Sequence, residues 1–173
     1  EYIEKARSSK FSRQIGVEHT QLRGKKILLE FDPSTPHERL VRDFALECAS
    51  HKETVIVLTK QASVIRQVLE GDQNVQLLDA KPDLMLSPIL EKHANEPLSL
   101  IYDNLTDLAL STDPQTSYGF ARNAIELIAT PRITALFLVN PSAHESKDVS
   151  SLRGLFSSRV SYGKQGVESF RVT

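Results

Sequence analysis

Seven polar residues follow three apolar runs of this sequence, and their side chains could bind a polar or ionic ligand. They are Asp32, Ser34, Thr35, His37 and Glu38 after the run 27–31, Asp103 after the run 98–102, and Asn140 after the run 133–139. Carboxylate, hydroxyl, imidazole and amide groups together offer both donors and acceptors. Ligands of open α/β sheets sit beyond the carboxyl ends of the strands, so we expect any site to be formed by these residues.

Other kinds of site find less support in the sequence. No Gly-x-Ser-x-Gly segment is present, and the five histidines lack the spacing of a zinc site. The single cysteine, Cys48, excludes an intrachain disulfide and falls within an apolar helical stripe, where a small core residue is the default. We therefore predict no catalytic nucleophile and no metal centre, unless Asp103 holds magnesium.

The elements that must position these residues alternate between strand and helix. Strands are predicted at 27–31, 54–58, 75–78, 98–102 and 133–139, and a hairpin is predicted at 159–162 and 167–172. Helices are predicted from the turn 32–36 through Cys48, over 64–69, from Pro82 through Leu90, and over 118–129. This order indicates an α/β fold, with a mostly parallel sheet covered by helices on both faces and an antiparallel hairpin at the end.

Length and net charge limit the number of domains and the kinds of partner that this chain can have. The chain has 173 residues and a net charge of −1, which favours one domain at 25–173 after a basic helical or extended segment at 1–24. The basic segment is either a solvated face or a docking surface for an acidic partner. We expect no direct nucleic-acid binding, no membrane span and a cytoplasmic location. The first residue is Glu1, which suggests a processed chain or a piece of a longer protein.

The loop after the first strand resembles the Walker A region of KaiC-like proteins in the RecA superfamily. Asp32 and Pro33 match the pattern Gly-Asp-Pro-Gly-Ser-Gly-Lys-Thr, whereas Phe31, Ser34 and Pro36 stand at its glycines and His37 stands at its lysine. A working P-loop needs the glycines so that main-chain N–H groups can surround the phosphates, and the lysine to reach the β- and γ-phosphates. The resemblance therefore implies a degenerate phosphate loop.

Two further features argue against phosphate chemistry. Thr35 at an N-cap, Pro36 at the first helical position and Glu38 would form a capping box, which would place a negative charge where an active homologue holds phosphate. An ordinary capped helix also leaves no phosphate site. KaiC-like ATPases place acidic residues after the second strand, but this chain has Lys60 and Gln61 there, and neither is a general base at neutral pH.

Two other positions keep part of the family pattern. Asp103 ends a strand that resembles Walker B, about 70 residues after the loop, and the resemblance implies a Mg²⁺-orienting position there. A helix cap or turn residue is the alternative for Asp103. Asn140 and His144 follow a strand that resembles the sensor strand, and they either read a ligand or cap the next short helix.

These features predict a non-catalytic pseudo-ATPase, a sensory, regulatory or protein-interaction module of signal transduction or transcription control. Degenerate KaiC-like sensory domains and the RecA-like subunits of the Elongator ring are similar in this respect. The alternative is a protein that binds or hydrolyses ATP with Mg²⁺ through Asp103, His37 and main-chain groups. A flavodoxin-like or receiver-like domain is a third possibility. We expect no resident cofactor, and a protein partner or self-association as a homodimer or larger ring.

Overall fold

A single mixed sheet forms the centre of the protein. The computed structural model describes residues 10–173. Its strands are β1 (Lys26–Phe31), β2 (Thr54–Thr59), β3 (Val75–Leu78), β4 (Leu98–Asp103), β5 (Ile133–Val139), β6 (Ser158–Gly163) and β7 (Gly166–Arg171). Their order is β3-β2-β4-β5-β1-β6-β7, and every neighbouring pair is parallel except β6 and β7. The predicted parallel sheet with a terminal hairpin is confirmed.

Helices cover both faces of this sheet. They are α1 (Phe11–Gln14), α2 (His19–Leu22), α3 (His37–Ser50), α4 (Val64–Leu69), α5 (Ser87–Lys92), α6 (Leu105–Ser111), α7 (Pro114–Leu127) and α8 (Ser146–Arg153), with a 3₁₀ helix at Pro141–Ala143. None of the helices in residues 10–173 is long and apolar enough to cross a membrane.

Two apolar cores lie on opposite faces of the sheet because successive strand residues point to opposite sides. In β1, Ile27 and Leu29 belong to one core, with side chains of α3 and α4, while Leu28 belongs to the other, with side chains of α6 and α7. All seven residues of β5 are buried. Strands buried on both faces read as continuous apolar runs, which is why the sequence located them closely.

The described part of the N-terminal segment packs on the first of these cores. Phe11, Ile15 and Leu22 are buried there, and the Phe11 ring meets Phe44 edge to face at 4.9 Å. Residues 1–9 of the predicted basic segment lie outside the described residues. The structure thus places α1 and α2 against the same core as α3.

Two helix predictions need correction, and helix α6 was missed. The helix predicted from Pro82 begins only at Ser87, and the helix predicted over 118–129 spans Pro114–Leu127. Asp113 caps the helix Pro114–Leu127 by accepting from the Thr116 N–H. The residues that start this helix therefore precede its periodic apolar residues in the sequence. Helix α6 was not predicted; Asn104 caps it by accepting from the Asp107 N–H. These helices are short or begin with polar turns, where apolar periodicity is weak.

Candidate functional site

The loop between β1 and α3 is closed by its own hydrogen bonds. Asp32 Oδ1 accepts from the Ser34 N–H at 2.9 Å and from Ser34 Oγ at 2.7 Å. The Asp32 carbonyl oxygen accepts from the Thr35 N–H at 3.0 Å and from Thr35 Oγ1 at 2.6 Å. A phosphate loop needs its N–H groups directed at the ligand, whereas two of the N–H groups of this loop are already used within it.

The predicted capping box is not formed. Helix α3 begins at His37, Pro36 occupies the N-cap position, and no side chain caps this helix. Thr35 lies one residue before the N-cap position, and its hydroxyl donates to the Asp32 carbonyl oxygen, three residues earlier. Glu38 does lie in the first turn of α3, so its negative charge is at the end of the helix where an anion would otherwise be favoured.

His37 and Phe31 are packed against each other. Both side chains are buried, and their rings stack with centroids 4.2 Å apart. His37 Nδ1 lies 3.1 Å from the Thr35 carbonyl oxygen, so this nitrogen donates to the loop main chain. An imidazole held in this way does not extend towards a ligand as a P-loop lysine does.

Asp32 and Asn140 line one cavity at the carboxyl ends of β1, β5 and β6. Its volume is about 280 Å³, and its lining also includes Glu30, Tyr162 and Glu168. Hydrogen bonds from Ser34 lower the pKa of Asp32, so this carboxylate is charged at neutral pH. Among the described residues that line the cavity there is no lysine or arginine, so the lining disfavours an anion such as phosphate.

Asp103 is buried in a separate hydrogen-bond cluster. Its side chain accepts from Thr59 Oγ1 at 2.7 Å, from Ser63 Oγ, and from Asn104 Nδ2 at 3.1 Å. Ser63 Oγ also caps α4 by accepting from the Ile65 N–H. The carboxylate that the resemblance assigned to Mg²⁺ therefore joins β2, β4 and the start of α4.

Asp103 and Asp32 lie on the same edge of the sheet but not in the same cavity. Strand β5 separates β4 from β1. The ends of β4 and β1 are therefore two strand spacings apart, which is about 9.6 Å. The structure thus groups Asp32 with Ser34, Thr35 and Asn140 at one place and holds Asp103 at another.

Asn140 caps the 3₁₀ helix that follows it, which is one of the two roles that the sequence predicted for this residue. Its Oδ1 accepts from the Ser142 N–H at 3.1 Å and from Ser142 Oγ at 2.7 Å, at the start of the 3₁₀ helix. Its own N–H donates to Thr106 Oγ1 at 2.8 Å. Asn140 is therefore committed to local structure beside the cavity.

His144 does not cap the helix that follows it. Its Nε2 lies 2.9 Å from Thr106 Oγ1, so the contact is with α6. Burial lowers the pKa of His144, which favours a neutral ring that accepts the Thr106 hydrogen. Beside it, Tyr118 and Leu152 help to line a second cavity of about 220 Å³ between α7 and α8.

The sequence did not reveal a buried polar cluster near the N-terminal segment. His19 lies between two carboxylates, with Nδ1 2.6 Å from Glu47 Oε2 and Nε2 2.7 Å from Glu53 Oε2. Arg23 Nη1 donates to Glu53 Oε1 at 3.0 Å. One signal was present: Glu47 directly precedes Cys48 in the apolar stripe of α3, where a carboxylate needs a buried partner.

Comparisons with known proteins bear on the fold. The chain matches no protein-family model and no curated protein sequence. It is similar to the solved structure of the KaiC-like protein PH0186 from the archaeon Pyrococcus horikoshii OT3, with a TM-score of 0.63 and 13% identity over 87% of this chain and 82% of that one. A second P. horikoshii OT3 protein, studied as PH0250, has a TM-score of 0.62 and 13% identity over 84% of this chain and 85% of that one. The fold is therefore RecA-like.

Proposed function

We propose that this chain is a non-catalytic RecA/KaiC-like domain that acts as a sensory, regulatory or protein-interaction module, in signal transduction or transcription control. The observation that carries this proposal is the self-closed loop after β1, in which Asp32 accepts the hydrogen bonds of Ser34 and Thr35. A loop that uses its N–H groups internally and lacks a lysine has little means of holding a triphosphate.

The electrostatics of this edge support the same conclusion. The cavity beside Asp32 also presents Glu168, and Glu38 lies at the start of α3. Removing an anion from water into such surroundings costs free energy unless cations compensate for it. Mg²⁺ could compensate, but the Asp103 carboxylate is already bonded to Thr59, Ser63 and Asn104.

The alternative is an ATP-binding or ATP-hydrolysing KaiC-like protein with an atypical phosphate loop. It is favoured by one observation, the acidic residue Asp103 at the carboxyl end of β4. For this alternative, Mg²⁺ would have to displace the hydroxyls of Thr59 and Ser63 from the carboxylate, and His37 would have to leave its stack on Phe31.

Titration of a fluorescent ATP analogue with Mg²⁺ distinguishes the two. We expect no saturable binding up to millimolar nucleotide and no ATP hydrolysis above the buffer rate. Micromolar binding that Asp103→Ala abolishes would overturn the proposal. Asp83→Ala is the matched control because Asp83 is exposed in the loop before α5.

An interaction module needs a partner, and we propose self-association as a homodimer or larger ring in the cytoplasm. Apolar side chains that remain well exposed support a contact of this kind, among them Met85 at 70% and Leu110 at 73% exposure. Light scattering over a range of concentrations tests it. A dimer or larger mass is expected, and a monomer at the highest concentration would contradict it.

A further inference from the structure

Three potential metal ligands from different parts of the chain meet beneath the N-terminal segment. One atom each of His19, Cys48 and Glu53 can be chosen so that all three lie within 4.8 Å of one another. His19 comes from α2, Cys48 from the last turn of α3 and Glu53 from the residue before β2. All three residues are buried. The fold therefore brings together three possible metal ligands, which the scattered positions of the histidines in the sequence did not indicate.

Each oxygen or nitrogen ligand also has an outer partner. Glu47 Oε2 accepts from His19 Nδ1 at 2.6 Å, which directs the other ring nitrogen towards Glu53 and Cys48. Glu53 Oε1 accepts from Arg23 Nη1 at 3.0 Å and from Ser99 Oγ at 3.1 Å, which leaves Oε2 for the cluster. A carboxylate on the second nitrogen of a histidine is the usual support of a metal-binding imidazole.

We propose that His19 Nε2, Cys48 Sγ and Glu53 Oε2 bind a divalent transition-metal ion of the zinc class. Nitrogen, thiolate and carboxylate ligands together suit Zn²⁺, with bonds of about 2.0–2.3 Å. Tetrahedral binding at those lengths requires the nitrogen and the oxygen to be about 3.3 Å apart. They are now 2.7 Å apart, so His19 and Glu53 need to separate by less than about 1 Å to admit the ion.

The charges of the cluster balance both with and without the metal. Without it, the two ring nitrogens of His19 face the carboxylates of Glu47 and Glu53, so a hydrogen on each nitrogen satisfies both. The imidazolium and Arg23 then offset the two carboxylates. When Zn²⁺ binds, it replaces the hydrogen on Nε2 and the hydrogen of the Cys48 thiol, and two protons leave to solvent. The thiolate and the neutral ring keep the cluster neutral.

The metal would fasten the N-terminal segment to the sheet. His19 lies in the segment before β1, whereas Cys48 and Glu53 flank the turn between α3 and β2. An ion bound to all three residues links parts of the chain that are about 30 residues apart, and it favours the folded state, in which the three ligands converge. Three protein ligands leave the fourth tetrahedral position for a water molecule.

Cobalt(II) titration of the tag-free, metal-stripped full chain tests the proposal. We expect one Co²⁺ per chain, visible d–d bands of tetrahedral intensity and a near-ultraviolet thiolate-to-cobalt charge-transfer band. Added Zn²⁺ should displace the cobalt and remove both signals. Because Cys48 is the only cysteine, the charge-transfer band reports on this residue alone.

Variants distinguish the proposed metal ligands from the residues that only hydrogen-bond to those ligands. Cys48→Ser should abolish the charge-transfer band, and His19→Gln should lower the affinity by about 100-fold or more, beyond the effect of an outer partner. Glu47→Gln should lower it by about 10- to 100-fold because it removes an outer partner. His93→Gln is the control, since His93 bonds to Glu96 after α5 and should leave cobalt binding unchanged.

Three results would overturn the proposal. They are the absence of stoichiometric binding, a cobalt spectrum without the thiolate band, or equal affinity in the Cys48→Ser chain. Circular dichroism and urea unfolding of each variant identify any that fail to fold. If His19→Gln is among them, Cys48→Ser decides the outcome because it keeps the size and burial of the side chain.

Discussion

Thr59 Oγ1 donates a 2.7 Å hydrogen bond to Asp103 Oδ2, and the two residues lie directly opposite each other in the parallel pair β2–β4. Ser63 Oγ donates to the same oxygen from the start of α4. A carboxylate at the position of a Walker B aspartate thus accepts hydrogen bonds that join two strands and a helix. In this structure Asp103 therefore stabilises the contact of β2 and β4 with the start of α4.

Asp103→Asn should lower the free energy of unfolding by about 1–3 kcal/mol. The amide keeps one acceptor oxygen but loses the negative charge, and its NH₂ group is a donor facing the hydroxyls of Thr59 and Ser63 or the amide of Asn104. Urea unfolding followed by circular dichroism measures the change.

The matched control for this substitution is Asp83→Asn at an exposed position. It should change the unfolding free energy by less than about 0.5 kcal/mol. Equal stabilities of the two variants would mean that the Asp103 cluster contributes nothing. A large loss at Asp103 without any change in nucleotide binding is the combination that the proposed function requires.

The turn after β1 predicts a pH dependence at Asp32. The Ser34 N–H and hydroxyl both donate to this carboxylate and lower its pKa below the ordinary value of 3.8. A group whose pKa is lower in the folded state stabilises the fold above its unfolded pKa. That contribution is lost as the pH falls from about 3.8 through the folded pKa. A carboxyl-detected NMR titration should give a midpoint below 3.8 for Asp32.

Ser34→Ala should move the Asp32 midpoint upwards because it removes the hydroxyl donor while the Ser34 N–H remains. Ser151→Ala, at an exposed position of α8, should leave the midpoint unchanged. An Asp32 midpoint at or above 3.8 in the unmodified chain would contradict the turn geometry described here.

The sequence predicted the central strands β1, β2, β4 and β5 well because they are almost wholly buried and form apolar runs. The predicted bounds 75–78 and 133–139 match β3 and β5, and the two strands of the hairpin were located within one residue at each end. Apolar runs of this kind depend little on tertiary context. Helix α6 was missed because its start depends on the Asn104 cap rather than on apolar periodicity.

The candidate site was harder to predict because its hydrogen bonds depend on which residues the fold brings together. The sequence placed Thr35 at a helix cap, but the Asp32 carbonyl lies within reach and accepts from its hydroxyl. The buried contacts of His19 with Glu47 and Glu53 join residues about 30 positions apart, and no local pattern indicates such pairs. Missing glycines and a missing lysine, in contrast, are visible in the sequence itself.

An ion pair formed by a buried glutamate near the carboxyl end of β1 offers a further test. Glu30 is 7% exposed, and Arg153 donates to both of its carboxylate oxygens, at 2.8 Å from Nε and 2.6 Å from Nη2. Arg153→Met should destabilise the protein by about 1–3 kcal/mol because it leaves a buried carboxylate without its main partner. Urea unfolding measures the loss.

The double variant Glu30→Leu with Arg153→Met should recover much of that loss, since replacing both partners leaves no unpaired charge. Arg159 Nη1 lies 3.9 Å from Glu30 Oε2 and is a weaker partner, so Arg159→Met alone should cost less than Arg153→Met. If Arg153→Met were as stable as the unmodified chain, the pair would contribute nothing.

Cys48 should be unreactive until the protein unfolds. Its side chain is 1% exposed, and burial raises the pKa of the thiol, so both access and thiolate formation are suppressed. With metal removed by a chelator, a disulfide reagent at pH 8 should modify Cys48 at a rate that urea increases in parallel with unfolding. A chain carrying Cys48→Ser and Ser151→Cys presents its thiol on the exposed face of α8 and should react at once without urea. Equal rates for the two thiols under native conditions would show that the end of α3 opens to solvent, and that the core beneath the N-terminal segment is less firmly packed than this structure implies.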